Sequence, residues 1–297
     1  MKAEPMTVVG WQERFATEEA CLDYLEKERW KEGFTCPRCT HTEYWYTPGY
    51  RLYECKQCYL QTSPISNTIF HATKIPLVKW FWAIYFCTAD KGGISDSRLS
   101  RHLDVSWKTA RFILTRLRQC MGDRDQQYLL SGLIELDEAL VGGKKSGGKG
   151  PADGKARVLV GCENRGKRAG YLKMQVVEKT NKDTVSDFSK KHLRVSQDVR
   201  TDGCPTLKTL EGPHRLESRV LPAKEVCRWL PWVHVAIANL KRFILGTYHG
   251  VSPQHLQEYL DEFCYRFNRR RFELQIPLRL INTCLSYPKL HANSVFS

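Results

Sequence analysis

The chain contains 297 residues and carries a formal net charge of +14 at neutral pH, with a sequence pI of about 9.3. This length leaves room for two or three domains. The basic excess favours an anionic polymer, above all nucleic acid, over a merely solvated basic surface. The amino terminus lacks the layout of a signal peptide, and the apolar stretch 77–87 is short and contains Lys79, which argues against a membrane span. The composition therefore predicts a soluble, cytoplasmic protein.

The first element expected in the chain is a helix over residues 17–30. Thr17 suits the N-cap position, acidic residues follow it, and apolar side chains recur at helical spacing. Two short strands, 43–46 and 51–54, then flank the turn signal Pro48-Gly49. This pattern predicts a β-hairpin.

Twelve cysteines are present, and four of them form two Cys-x-x-Cys pairs that bracket this hairpin. A tight Cys-x-x-Cys turn directs two thiolates at one ion, and two such turns close a four-sulfur site with no open coordination position. We therefore predict a structural zinc ion bound by Cys36, Cys39, Cys55 and Cys58. Reactive or merely buried thiols, the alternative, would not need this pairing. The eight scattered cysteines favour a reducing compartment over a disulfide framework.

Helical periodicity follows the hairpin and predicts three helices, at 76–90, 95–103 and 106–119. The short link between the last two resembles the turn of a helix-turn-helix, whose second helix inserts its amino-terminal residues into the major groove. The candidate DNA contacts are Trp107, Lys108 and Arg111. An ordinary helical linker with a solvated basic face is the alternative.

Strand signals replace helical ones beyond residue 130. The pattern predicts three strands, a helix, a buried strand and further helices, which gives a βββαβα order. The predicted ranges are strands 132–140, 157–162 and 171–177, helix 181–193, strand 198–202, and helices 233–246 and 252–268. The last thirty residues carry no clear pattern.

Basic clusters outside the helical region are suited to neutralise phosphates and release counterions. One cluster lies in a Gly- and Lys-rich loop, 142–154, and another at the end of the last predicted helix. The candidate contacts to a DNA backbone are Lys144, Lys145, Arg266, Arg269 and Arg270.

Two aspartates lie in extended, apolar or β-branched settings, Asp137 in the first strand of this region and Asp202 at the end of the fourth. An unpaired charge is costly to bury there, and a cation relieves that cost. Two strand-borne acids and an oxygen ligand on a later helix suit paired divalent cations, the arrangement that phosphodiester chemistry uses. Glu135, on the same strand face as Asp137, and Glu138, on the other, compete for this role. A salt bridge at a strand end is the alternative for each acid.

Asn239 supplies the oxygen on the later helix, although a helix cap or a surface amide is the alternative for it. Arg242 shares its helix face, whereas Lys241 at i+2 points elsewhere, so Arg242 is the better candidate for a phosphate contact near the cations. His234, at or before the helix start, is also placed to approach the site. The alternative for His234 is a cap or core histidine.

Taken together, these residues resemble the bacterial insertion-sequence transposases of the DDE superfamily that carry an amino-terminal zinc ribbon. Within that group they resemble the ISXO-type branch, whose third catalytic position is Asn followed by Lys. The resemblance rests on the ribbon cysteines, Ile75-Pro76-Leu77, Leu136-Asp137-Glu138 with Gly142-Gly143, Arg200-Thr201-Asp202-Gly203, His234, Asn239-Leu240-Lys241-Arg242, Gly246-Thr247-Tyr248-His249-Gly250 and Tyr259-Leu260-Asp261-Glu262-Phe263.

The resemblance implies an α/β (α+β) fold, in which a zinc ribbon and a helix-turn-helix precede an RNase H-like catalytic domain. The expected domains are 1–70, helix plus ribbon; 71–125, the helix-turn-helix region; 130–272, the catalytic domain; and 273–297, a carboxyl-terminal tail.

The resemblance also implies site residues: Asp137, Asp202 and Asn239 as the catalytic triad, with Lys241 as the accompanying basic residue. The preference for Arg242 from helix geometry therefore stays open. Because the superfamily usually has Glu at the third position, Glu262 is an alternative third ligand. Two Mg²⁺ ions, or Mn²⁺, are the expected catalytic cofactors.

The implied activity is metal-dependent cleavage at transposon ends, followed by attack of the freed 3′-OH on target DNA. The partners would be the double-stranded DNA of the terminal inverted repeats and of the target, which would place the protein at the nucleoid. Pairing of two ends implies at least a homodimer. The alternatives are a catalytically silent, transposase-derived DNA-binding regulator and an RNase H-like nuclease without strand transfer.

Overall fold

The structure, a computed structural model, describes residues 6–142, 154–248 and 251–286. Its contacts divide the chain into two compact units. The first, here the ribbon unit, comprises 1–90, 96–120 and 272–297; the second, the sheet unit, comprises 91–95 and 121–271. The ribbon thus groups with the helices of the predicted helix-turn-helix and with the carboxyl-terminal segment.

The ribbon unit begins with two capped helices, α1 (Val8–Arg14) and α2 (Glu18–Arg29). The Thr17 side chain accepts a hydrogen bond from the backbone N–H of Ala20 at 3.1 Å, which confirms the predicted N-cap. An antiparallel sheet follows, in the order β1 (Tyr44–Thr47), β2 (Leu52–Cys55) and β3 (Gln61–Thr62). The predicted hairpin is therefore confirmed, with one further short strand.

Three helices follow in sequence, α3 (Leu77–Ala89), α4 (Asp96–Leu103) and α5 (Trp107–Gln126). Helix α5 runs seven residues beyond its predicted end at 119. Ser106 caps it, since the Ser106 Oγ accepts a hydrogen bond from the backbone N–H of Thr109 at 3.1 Å.

The sheet unit is built on a mixed five-stranded sheet in the order β6-β5-β4-β7-β8. Strands β4, β5 and β6 are antiparallel neighbours, whereas β7 runs parallel to β4 and β8 parallel to β7. The elements are β4 (Leu133–Val141), β5 (Ala156–Asn164), β6 (Ala169–Val177), α6 (Lys182–His192), β7 (Asp198–Thr201), β8 (Arg215–Ser218), α7 (Ala223–Trp229), α8 (Pro231–Phe243) and α9 (Leu256–Asn268). The predicted βββαβα order is confirmed, and the sheet is consistent with an RNase H-like domain; β8 and α7 were not predicted.

Side-chain alternation along β4 assigns each residue to one of two cores. Leu136 packs with Phe188 of α6 on one face of the sheet, whereas Ala139 packs with Leu240 of α8 on the other. Asp137, an even number of residues before Ala139, therefore faces α8.

One further helix, α10 (Ile276–Ser286), belongs to the ribbon unit and lies in a region where no helix was predicted. Within the described ranges, no helix is both long and apolar enough to cross a membrane.

Candidate metal centres

Strand register brings the two aspartates side by side. Glu135 of β4 lies opposite Arg200 of β7 in the parallel pairing, so two residues further along Asp137 is level with Asp202. Asp202 directly follows the last residue of β7. The next residue, Gly203, has φ +88°, and a Cβ there would come within 2.7 Å of the Val220 side chain. The turn that ends β7 at the acid therefore requires glycine.

Asp137 is buried and electrostatically strained. Its Oδ1 accepts a hydrogen bond from the backbone N–H of Glu138 at 2.7 Å. Burial, and after it the nearby Asp202 carboxylate, raise the pKa of Asp137 to about 6, although the Glu138 N–H and His234 act in the opposite direction. A cation between the two carboxylates would relieve this repulsion.

His234 of α8 lies beside Asp137. Its Nε2 lies 3.6 Å from the Asp137 Oδ2, longer than a hydrogen bond. Nε2 is buried and has no hydrogen-bond partner among the residues that the structure describes. Two ligand atoms bound to one ion at about 2.0–2.2 Å stand roughly 3–4 Å apart. The unpaired nitrogen beside the Asp137 carboxylate thus fits a divalent cation bound at this carboxylate.

Asn239 lies on the same helix but on a different face. Five residues of α-helix turn a side chain by about 140°, whereas seven return it to nearly the same direction. Lys241 thus shares the face of His234, and Asn239 does not. The Asn239 Oδ1 accepts a hydrogen bond from Arg242 Nη1 at 3.4 Å, and both basic side chains are exposed. Because Lys241 shares the helix face of His234, the geometry favours Lys241 over Arg242 for a phosphate contact near the candidate metal centre.

The two competing glutamates of β4 both have other partners. Glu135 is fully buried, and its Oε2 accepts hydrogen bonds from the backbone N–H groups of Trp232 and Val233, at 2.7 and 2.8 Å. These are first-turn donors of α8, so Glu135 caps this helix from the neighbouring strand. Glu138 pairs with Arg157 of β5. Alternation along the strand predicted that Glu135 and Asp137 share a face, but it could not predict that Glu135 caps α8.

We expect Glu135→Gln to lower the free energy of unfolding by about 2–3 kcal/mol, because the amide has one acceptor oxygen and cannot serve both Asn164 and the backbone N–H groups of α8. Urea denaturation of the full chain measures the change. The matched control is Glu138→Gln, which breaks a partly exposed ion pair and should cost no more than about 1 kcal/mol. Equal losses in the two variants would contradict the assigned cap.

Glu262, the alternative third ligand, is occupied elsewhere. It is fully buried, and its Oε1 accepts a hydrogen bond from Arg266 Nη1 at 3.1 Å. The Tyr248 hydroxyl also donates a hydrogen bond to the Glu262 Oε2, at 3.4 Å. These contacts tie α9 to the π-helical turn Ile244–Tyr248, so they support a packing role more than a metal-ligating one.

The arginines predicted to hold a DNA backbone at the end of α9 are engaged inside the sheet unit. Arg266 pairs with Glu262, and Arg269 pairs with Asp125 at 2.7 Å. Arg270 donates to backbone carbonyls that include those of Ala169 and Phe267. These internal contacts do not support the predicted phosphate contacts. A basic run can serve as internal cross-links when buried carboxylates and carbonyls face it. Lys144 and Lys145 lie outside the described residues.

The start of α5 presents part of the predicted recognition surface. Trp107 and Lys108 are exposed at the amino end of this helix. Arg111 is half-buried, and its Nη1 lies 3.4 Å from the Asp96 Oδ2. Arg116, further along α5, is buried and stacks on Phe112. The exposed surface is therefore smaller than the sequence predicted.

The four paired cysteines of the ribbon unit form a compact cluster, with all four Sγ atoms within 4.8 Å of one another. Two Sγ–Sγ distances are 3.5 Å, Cys36 to Cys58 and Cys39 to Cys55. A disulfide requires about 2.05 Å, whereas four sulfurs around one zinc ion stand about 3.8 Å apart. Thr40 and Tyr59 close the two turns in the left-handed conformation, with φ of 61° and 59°. The predicted four-cysteine cluster is confirmed.

Comparison with known proteins gives two family matches. Residues 129–268 match the family described as ISXO2-like transposase domain, and residues 16–61 match the transposase zinc-ribbon domain. An uncharacterized protein in transposable element ISH50 of Halobacterium salinarum is 30% identical over 139 residues. That match covers 46% of this chain and 45% of the relative, so the chain spans less than half of the relative's length.

Proposed function

Because the chain combines the transposase zinc ribbon with the ISXO2-like transposase domain of the DDE superfamily, we propose that it is a DNA transposase. It cuts DNA at the ends of a mobile element and joins the freed 3′-OH to target DNA. The observation that carries this proposal is that Asp137 has Asp202 at the next strand position and His234 on the helix that covers it.

The proposed cation ligands are Asp137 and Asp202, and divalent cations bound there, Mg²⁺ or Mn²⁺, would supply the Lewis acidity that phosphodiester chemistry requires. The contacts of His234 make it a better candidate for the third ligand position of the metal centre than Asn239 or Glu262. The cysteine cluster is proposed to hold Zn²⁺ as a structural ion.

The protein's own residues orient this site. The Glu138 N–H fixes the Asp137 carboxylate, and the Glu135 cap fixes the helix that carries His234. Lys241, two turns along the same face, is proposed to bind a substrate phosphate. Trp107 and Lys108 at the start of α5 are proposed to contact the element's ends, and joining two ends requires at least a dimer on DNA.

The test uses the full chain and labelled linear DNA that contains the sequences flanking its reading frame, with Mg²⁺ or Mn²⁺. We expect nicking at the element's ends, and joined products when a pre-cut 3′-OH end is supplied. Nicking without joined product would instead indicate a nuclease. Specific binding without nicking would indicate a regulator, and either result would contradict the proposal.

Substitutions of His234 and of Asn239 distinguish these two candidates for the third ligand position. We expect His234→Gln to lower the cleavage rate by roughly 100-fold and to raise the Mn²⁺ concentration needed for half-maximal cleavage, because a group beside the cation is lost. Asn239→Ala should reduce cleavage less than about tenfold. Steady-state cleavage assays across a Mn²⁺ titration measure both. A larger defect in Asn239→Ala than in His234→Gln would restore Asn239 to the third position.

A further inference from the structure

An aromatic side chain with two arginines stacked on it lies beside the candidate metal centre. The guanidinium carbon of Arg219 is 4.0 Å from the ring centroid of Trp229, and that of Arg200 is 4.4 Å from it. The Trp229 Nε1–H donates a hydrogen bond to the backbone carbonyl of Thr201 at 3.0 Å. Since Thr201 immediately precedes Asp202, the stack is fixed to the strand end that carries the acid.

A single carboxylate joins the two arginines. The Glu217 Oε1 accepts a hydrogen bond from Arg219 Nη2 at 2.6 Å, and its Oε2 accepts one from Arg200 Nε at 3.1 Å. Two guanidinium groups share one carboxylate, so the group carries a net charge of about +1. A guanidinium has five N–H donors, and the bonds to Glu217 use only part of them. Both side chains reach solvent, with exposed fractions of 31% for Arg200 and 54% for Arg219.

The pair faces the side of the sheet on which the acids lie. Arg200 is opposite Glu135 in the parallel register, and Glu135 shares the strand face of Asp137. The Arg200 charge also acts on the Glu135 carboxylate. A DNA strand bound by these arginines would thus lie along the edge of the candidate metal centre.

We propose that Arg200 and Arg219, held in place by Trp229 and Glu217, form a phosphate clamp that positions a DNA strand at the candidate metal centre. This inference rests on the proposed function in taking DNA as the substrate. Stacking on the indole fixes the guanidinium planes and leaves N–H edges available for two-pronged bonds to phosphate oxygens. Prior ordering lowers the entropy cost of binding.

A neighbouring arginine shows what a structural pair looks like on the same sheet. Arg215 of β8 pairs one-to-one with Asp198, with its Nε 2.7 Å from the Asp198 Oδ1. That pair is neutral and has no aromatic support among the described contacts. Arg215 therefore provides a matched control, because it lies in the same strand region but outside the clamp.

The salt dependence of DNA binding tests the clamp. The full chain, zinc-loaded and without added divalent cation, is titrated onto a short fluorescent duplex of arbitrary sequence. The slope of log affinity against log salt is negative, and each lost phosphate contact reduces its magnitude by about 0.9. We expect that reduction for Arg200→Gln and for Arg219→Gln. Arg215→Gln should leave the slope unchanged.

Glu217→Gln gives a prediction of opposite sign. The amide keeps an acceptor oxygen for the arginines but removes the charge that competes with phosphate, so DNA affinity should rise by up to about fivefold. Arg219→Lys keeps the charge but loses the planar fork, and it should recover only part of the slope.

Two outcomes would overturn the clamp. One is an unchanged slope in Arg200→Gln and Arg219→Gln; the other is an equal reduction in Arg215→Gln, which would indicate a diffuse field of positive charge. Neither outcome would contradict the proposed cleavage and joining of DNA, because the experiment measures binding in the absence of catalysis. A failure of the proposed function would appear separately in the cleavage assay, as the absence of nicking or of joined product.

Discussion

Asp137→Asn is expected to abolish cation-dependent DNA cleavage and, at the same time, to stabilise the metal-free protein above pH 6. Loss of a cation-binding carboxylate at the reacting phosphate should reduce the rate by about 10³-fold or more. The Asn side chain keeps an oxygen for the Glu138 N–H, so the local hydrogen bond survives. The fold should therefore persist while the chemistry fails.

The stability gain follows from the raised pKa of Asp137, about 6 in the folded protein against an ordinary value of 3.8. Between these values the unfolded chain has already released the proton that the folded chain still holds. The folded state therefore loses stability as the pH rises from about 4 to 6, and above that the penalty is complete. Removing the charge should recover up to about 3 kcal/mol at pH 8, and little at pH 4.

Urea denaturation at both pH values measures this gain, with zinc-loaded protein in buffer free of other divalent cations. Added Mn²⁺ should stabilise the unsubstituted protein and have little effect on Asp137→Asn. Asp198→Asn, at the other end of β7 in a one-to-one pair with Arg215, is the control and should retain cleavage. Cleavage by Asp137→Asn at the normal rate would refute the proposed site.

Removal of the proposed zinc ion is the second large effect, and we expect it to unfold the ribbon. The apolar cluster around the cysteines is small: Phe34 is buried and Trp30, Tyr53 and Leu60 are only partly buried. Such a cluster gives too little burial to hold three short strands by itself. Ion binding contributes roughly 10 kcal/mol or more in comparable small zinc domains, so folding here should depend on the ion.

Cys55→Ala, or a strong chelator, should therefore expose the segment 34–62 to protease while the sheet unit keeps its own unfolding transition. Metal analysis and limited proteolysis read by mass spectrometry measure both effects. Cys227→Ala is the matched control, because Cys227 is exposed and lies outside the cluster. Full protease protection of the zinc-free chain would show that the ribbon folds without its ion.

Features with local causes could be determined from the sequence alone. Two Cys-x-x-Cys turns act over a few residues, so the spacing of Cys36, Cys39, Cys55 and Cys58 was enough to predict their cluster. Apolar and β-branched residues identified the strands that carry Asp137 and Asp202, whereas the pairing of these two strands was decided by the fold. Caps at Thr17 and Ser106 are equally local.

Partners across elements were decided only by the tertiary structure, because periodicity assigns a face to a residue but not what lies opposite it. Glu135 and Asp137 share a strand face, yet one caps α8 and the other faces Asp202 and His234. In the same way, buried Asp125 turns Arg269 from a candidate DNA contact into an internal cross-link. Strand β8 was not predicted, because its four residues form a strand through pairing with β7 and show no strand pattern of their own.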